Sequence, residues 1–363
     1  MTVLNRVSAF VTATLVMLAL ACSQGGPGRP VAAKSVPRPA STPSFSPVPV
    51  ETSAPTPASV PAPAVAPPSS PPPLAPARSA RATPPPVPPQ VAAAGAISWG
   101  LWEPNWQAQG GSVDFGQFMR ADSQLGHRAD VVHWFANWDE GWGDYDGQLL
   151  QQVLRSNRTP MITWEAYNRP LKAIARGQYD PYIDSWATGM AASGKQTIYL
   201  RIFHEFNDPL DPSSGSGYPW GIGGGTQNQP ADLVAAWRHI HDRFAAAGAS
   251  NVRFLWCPDG VNLDLGLLRA AYPGEPYVDF AGWDAYGYDT AVDYQTLSQV
   301  SQKPFMLPEV GSTDAGWVQD LSSKLRSGGY GRIRGVVWFD EGETRLDAQP
   351  AVRAAVKGML RGF

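Results

Sequence analysis

Thr197-Ile198-Tyr199-Leu200-Arg201-Ile202-Phe203-His204-Glu205-Phe206-Asn207 is an apolar run that ends in a cluster of polar side chains. Its β-branched and aromatic beginning reads as a buried strand, which sets Arg201, His204, Glu205 and Asn207 at that strand's C-terminal end. A glutamate is rarely buried unless paired, so one delivered by an apolar strand has an electrostatic or catalytic task. Lys303-Pro304-Phe305-Met306-Leu307-Pro308-Glu309-Val310-Gly311 repeats the pattern with Glu309. Two such carboxylates, far apart in the chain, point to an enzyme.

Working outward, eight short apolar runs each end in polar or aromatic residues. They are Ile97–Leu101, Val131–Phe135, Met161–Trp164, Ile198–Ile202, Val252–Trp256, Val278–Trp283, Pro304–Leu307 and Ile333–Trp338. Helix-forming stretches lie between them. The clearest is Ala231–Ala247, where Leu233, Val234, Trp237, Ile240, His241 and Phe244 fall at helical spacing before Gly248. Eight strand-helix units predict a single (β/α)₈ barrel over residues 96–363, with the active site at the C-terminal strand ends. Those ends carry Glu103, Asn137, Glu165, Glu205, Asp259, Asp284, Glu309 and Asp340. Periodicity alone also suits a doubly wound sheet. Against that, no phosphate loop opens the first helix, and Gly221-Ile222-Gly223-Gly224-Gly225 lacks the Lys and Ser or Thr of a P-loop.

The chain before the barrel is of another kind. Arg6 precedes an apolar run from Val7 to Ala21, too short for a comfortable membrane span, and Leu18-Ala19-Leu20-Ala21-Cys22 follows the pattern of a bacterial lipobox. The expectation is a signal peptide over 1–21, lipidation of Cys22 and tethering to a membrane outside the cytoplasm; plain secretion with a coincidental cysteine is the alternative. Residues 22–95 hold 22 of the 36 prolines and no tryptophan. That composition predicts an extended, disordered tether that lets the barrel reach a large substrate. Cys257, the other cysteine, sits in Phe254-Leu255-Trp256-Cys257 and reads as a small buried hydrophobe.

All 14 tryptophans fall in the barrel region, and 28 basic against 31 acidic residues give a net charge of -3 without a basic patch. Nucleic acid is therefore not the expected partner. Many aromatic rings without strong charge suit a neutral ring-shaped ligand such as a sugar, although some of those rings belong to the core. Among sugar reactions, glycosidic cleavage needs two carboxyl groups, one to protonate the leaving oxygen and one to attack or to activate water. The five histidines (His127, His133, His204, His239, His241) form no metal-ligand set, and Asp208 and Asp211 read as solvated loop residues rather than a calcium site. No metal and no cofactor are expected.

Taken together, Arg201–Asn207, Tyr218-Pro219-Trp220, Ala236-Trp237-Arg238-His239-Ile240, Ala247–Val252 and Leu307-Pro308-Glu309-Val310-Gly311 resemble glycoside hydrolase family 26, within clan A, over about residues 97 to 345. The resemblance implies a retaining endo-β-glycosidase: mostly mannan endo-1,4-β-mannosidases, with some β-1,3-1,4-glucanases and β-1,3-xylanases. It implies that Glu205 is the acid/base and Glu309 the nucleophile. His204 matches the histidine before the acid/base, and Tyr286, in Trp283-Asp284-Ala285-Tyr286-Gly287, the tyrosine that bonds the nucleophile. Trp338 matches the floor beneath the cleaved sugar. Arg201 is expected to support the charge of Glu309, while Asn207, Trp164, Glu165, Trp283 and Trp220 are the further candidate substrate contacts. The chain departs from the family between Asn207 and Tyr218, where a longer link replaces the usual one and its first tryptophan is missing. Thr163-Trp164-Glu165 is closer to the glucanase branch. A monomer acting on a polysaccharide is expected; a transglycosylase or a non-catalytic polysaccharide-binding barrel are the other classes.

Overall fold

The computed structural model describes residues 96–104, 114–139, 141, 145–261, 263–287 and 289–363. The expected signal peptide, Cys22 and the proline-rich tether lie outside the described residues. Eight parallel strands close into a barrel in chain order: β1 (Ser98–Trp102), β2 (Val131–Asn137), β3 (Thr159–Glu165), β4 (Ile198–Ile202), β5 (Val252–Trp256), β6 (Phe280–Gly282), β7 (Phe305–Val310) and β8 (Ile333–Phe339). Each expected strand is present. The main displacement is at β7, which the sequence reading ended at Leu307. Pro308 cannot donate to a ladder, yet the strand runs through it to Val310, because the pairing with β8 slips on either side of Met306–Leu307 and leaves the proline at an irregularity.

Helices surround the barrel, and those the site needs are α1 (Phe115–Leu125), α2 (Tyr145–Arg155), α3 (Leu171–Ala175), α4 (Asp180–Ala192), α5 (Pro230–Ala246), α6 (Leu265–Ala271) and α7 (Thr290–Ser298). The helix anticipated around Ala231–Ala247 is α5. It opens with Pro230 at its first position and a reciprocal cap between Gln229 and Asp232, and it buries Leu233, Ala236, Trp237, Ile240 and Phe244. Leu233, Trp237, Ile240 and Phe244 of the stripe read from the spacing are buried, whereas Val234 and His241 are half-buried and Ala236 joins the buried face.

Strand side chains alternate between helix layer and barrel axis, and this divides the interior into tiers. The lowest is a small apolar cluster of Val131, Met161, Leu255, Phe280, Met306 and Val337, with Tyr199 packed on it. Two residues further along β2, β3, β4 and the end of β5 stand His133, Thr163, Arg201 and Cys257, all buried. One more step up the strands lie the carboxylates. A barrel whose interior turns from hydrocarbon to charge toward one end has a definite polar face.

The closure between first and last strands carries its own titrating pair. Glu103 follows β1 and Asp340 follows β8, five register pairs join those strands, and the two carboxyls hydrogen-bond to each other. Gln117 of α1 donates to Glu103 Oε1 and the Leu346 amide to Asp340 Oδ1. Burial first, and the Asp340 contact second, push Glu103 from 4.5 up to about 8. The native state then holds a proton that the unfolded chain has released, so stability present at low pH declines as pH climbs from about 4.5 through about 8. Glu103→Gln retains a donor toward Asp340 but nothing to titrate. It is expected to shrink the fall in melting temperature between about pH 6 and about pH 9, as followed by circular dichroism; an unchanged fall would assign that loss to other groups.

Candidate active site

At the end of β4 the backbone leaves the strand through an unusual path. Phe203 and Glu205 both adopt left-handed conformations, with φ of 48° and 50°, each of which costs a non-glycine residue about 1–3 kcal/mol. The strain is held by hydrogen bonds: the Glu205 amide donates to the Cys257 carbonyl at 2.9 Å, and the Asp208 amide to the Glu205 carbonyl at 2.9 Å. These tie the end of β4 to β5 and turn the Glu205 carboxyl over the barrel mouth. Trp220 supports the turn from below, its indole N–H donating to the His204 carbonyl at 2.7 Å.

Glu205, Asp284 and Glu309 come together there, and one carboxylate oxygen from each lies within 4.8 Å of the others. Arg201 supplies the positive charge to two of them, Asp284 and Glu309. Its Nη1 spans both oxygens of Asp284 at 2.8 and 2.9 Å, and its Nη2 donates to Glu309 Oε1. Tyr286 donates to the other oxygen, Glu309 Oε2. Gly311 allows that phenol its place, since a Cβ there would stand 2.9 Å from the tyrosine ring. Both Glu309 oxygens thus accept hydrogen bonds suited to an anion.

Glu205 is in the opposite situation. It is buried, no ion pair reaches it, no donor meets its Oε2 among the described residues, and its side-chain partner is another carboxyl, that of Asp284. Burial pushes its carboxyl well above the usual range, and the charges of Asp259, Asp284 and Glu309 push it further, against a smaller pull from Arg201. Asp259, at the end of β5, is itself raised to about 7, mainly by burial. One carboxyl that keeps its proton therefore faces another arranged as a carboxylate, the division of roles that acid-assisted displacement at an acetal carbon requires. His204 is buried between Phe135, Tyr218 and Trp220, and burial followed by the Arg201 charge keeps it neutral.

Several expected substrate contacts require correction. Trp164, Trp283, Trp338 and Trp220 expose essentially no surface. Trp164 packs against Tyr182 and Trp186 of α4 and Phe244 of α5, and Trp283 against Tyr294 of α7, so both belong to the helix layer. Trp338 gives its indole N–H to the Thr344 carbonyl, and the next residue, Phe339, turns toward the mouth instead, its ring near Tyr286 and Trp102. Trp220 is a prop for His204 rather than a platform. Asn207 has both ends of its amide engaged by the Asp259 backbone, at 2.8 and 2.9 Å. Glu165 stays half-buried at the mouth, accepting from Tyr167. As a check, Trp164→Ala is expected to cost about 3–5 kcal/mol in denaturant unfolding while leaving KM of the folded protein near wild type.

Sequence reasoning missed the aromatic floor of Trp102, Phe135 and Phe339, the third carboxylate Asp284 as a partner of Arg201, and Glu341, whose Oε2 accepts the Trp102 indole N–H at 3.1 Å. The alternation of β2 and β8 could have found Phe135 and Phe339; nothing local marks Trp102 or Glu341.

Comparison with known proteins bears on these residues. The model of glycosyl hydrolase family 26 matches residues 162–329, which contain both β4 and β7. Endoglucanase H of Acetivibrio thermocellus is 30% identical over 257 residues, 64% of this chain and 27% of that protein, so the chain spans about a quarter of that relative's length. The catalytic domain of a family 26 endo-β-1,4-mannanase from Bacillus sp. JAMB-750 superposes with a TM-score of 0.55 at 16% identity, over 73% of this chain and 86% of that one. A family 26 β-mannanase from Bacteroides ovatus gives 0.51 at 14%, over 74% and 89%. At these identities the structural likeness shows the fold.

Proposed function

We propose that this barrel, which carries the glycosyl hydrolase family 26 pattern across residues 162–329, is a retaining endo-β-glycosidase that cleaves a β-linked polysaccharide by double displacement. The observation that carries the reading is the carboxyl pair: Glu205 just after β4 and Glu309 on β7, oxygens within 4.8 Å, one environment holding a proton and the other binding an anion. Oxygens that close favour direct attack over the wider spacing at which an inverting pair holds water between its carboxyls. Glu309 attacks the anomeric carbon while Glu205 gives its proton to the departing oxygen. Water, deprotonated by Glu205, then releases the sugar from Glu309 with configuration retained. Arg201 and Tyr286 hold the nucleophile's orientation, and Phe339, half-buried beside Tyr286, offers an apolar face to the sugar.

Mannan is the first candidate substrate, from the family's majority. A β-glucan is the second, favoured by the 30% identity to a protein named endoglucanase and by the Thr163-Trp164-Glu165 segment. Incubating the protein with β-1,4-mannan, mixed-linkage β-glucan and β-1,3-xylan, with reducing ends and the anomeric configuration of the first product followed, separates them. An initial α-anomer would sink the retaining mechanism; products longer than the substrate would reveal transfer to sugar acceptors. Lipidation at Cys22 and the proline-rich stretch would hold the barrel at a membrane surface with reach toward such a polymer.

A further inference from the structure

Below the carboxylates, the three buried side chains Arg201, Thr163 and His133 form a chain of hydrogen bonds. Arg201 Nε, always a donor, meets Thr163 Oγ1 at 2.8 Å. The threonine hydroxyl, with its oxygen accepting from Arg201, can pass its one hydrogen to its other neighbour, His133 Nε2, at 2.7 Å. In that arrangement His133 Nε2 is the acceptor and the ring carries its hydrogen on Nδ1, which meets no hydrogen-bond partner among the described residues. All three side chains are fully buried. Burial first, and the Arg201 charge second, disfavour an imidazolium at His133, so the ring is neutral.

The same bond decides the rotation of the guanidinium. Thr163 and Arg201 are partners across the β3–β4 ladder, so the hydroxyl lies where only Nε can reach it. The guanidinium is planar, and once Nε is pinned to Thr163 the two terminal nitrogens have no freedom left: Nη1 falls on Asp284 and Nη2 on Glu309. The Phe135 ring, 5.8 Å from Cζ, closes another side. We propose that Thr163 is the positioning residue for Glu309: placed between Arg201 Nε and His133 Nε2, its hydroxyl fixes the guanidinium that orients the attacking carboxylate, with neutral His133 as the terminal acceptor. The proposal rests on the glycosidase reading for its kinetic consequence but not for the relay itself. Valine at this position keeps the shape and strips the hydroxyl, leaving a buried donor and a buried acceptor facing each other's vacated bonds.

Two measurements on the full chain test it. In the wild type, long-range ¹H–¹⁵N spectra of labelled histidine, with His133 assigned by its loss in H133Q, are expected to show Nδ1 protonated and Nε2 bare from about pH 5 to about pH 9; protonation at Nε2 would overturn the relay whatever the substrate proves to be. Thr163→Val is expected to lower kcat about 10- to 100-fold with KM within about twofold and to move the acidic limb of the pH profile, while Thr163→Ser restores kcat to within a few fold. A wild-type pH profile and kcat in Thr163→Val, a change confined to KM, or a failure of serine to rescue would refute the positioning role. An inactive wild type with the expected histidine tautomer would instead count against the glycosidase reading and leave the relay standing.

Discussion

Glu309→Ala is expected to lower polysaccharide hydrolysis by on the order of 10⁵-fold while leaving the barrel folded. The two halves of that expectation have separate grounds. Chemically, the variant lacks the atom that forms the glycosyl-enzyme bond, and the neighbouring Asp284 does not replace it, since both its oxygens are held by Arg201 Nη1. Structurally, Glu309 is one of two carboxylates on a single guanidinium, and Asp284 remains paired with Arg201 when it is removed. Melting temperature should thus stay close to wild type, which separates lost chemistry from lost fold. The truncated side chain also leaves a space bordered by Arg201 and Tyr286 that suits a small anion. Azide with an activated β-glycoside should therefore give a glycosyl azide of inverted configuration. Hydrolysis within about tenfold of wild type would remove Glu309 from the nucleophile's role.

Why the barrel was legible and the sugar contacts were not comes down to what strand periodicity encodes. Eight apolar runs separated by helix-length stretches identify strand-helix units without any tertiary information, and each of the eight runs became a strand. Glu205 and Glu309 stood out because a carboxylate at the end of such a run has no packing explanation. The tryptophans were chosen by type, and type does not say which way a side chain faces. Alternation does: Glu165 is at the mouth, so Trp164 beside it must turn to the helices, and Phe339 at the mouth sends Trp338 outward. Trp220 lies in a loop, where no period operates, and only its bond to the His204 carbonyl reveals its role. The left-handed conformations of Phe203 and Glu205 were equally hidden, because neither residue is a glycine or asparagine that would announce a turn.

Glu205→Gln is expected to affect substrates according to their leaving groups. With polysaccharide the departing oxygen is a poor leaving group, and loss of the proton donor should lower kcat/KM by about 10²–10⁴-fold. With a dinitrophenyl β-glycoside no proton is needed, so the glycosyl-enzyme should still form, accumulate as a burst and be released faster by azide with configuration retained. The pH dependence follows from the direction in which Glu205 is perturbed. Burial, then Asp259, Asp284 and Glu309, raise its carboxyl, so the acid form persists through neutral pH and activity falls as pH rises through that elevated value. The variant should lose this basic limb. Asp259, itself raised to about 7, stands ahead of Glu309 among the charges acting on Glu205, so the wild-type limb belongs to the interacting pair. Esterification of Glu309 during turnover removes one of the three negative neighbours and leaves two. Glu205 is then eased toward ionisation for the second step, and Asp259→Asn should ease it further, shifting the basic limb of kcat/KM to lower pH. An equal loss on both substrates in Glu205→Gln, or a basic limb that survives the substitution, would assign proton donation to another residue.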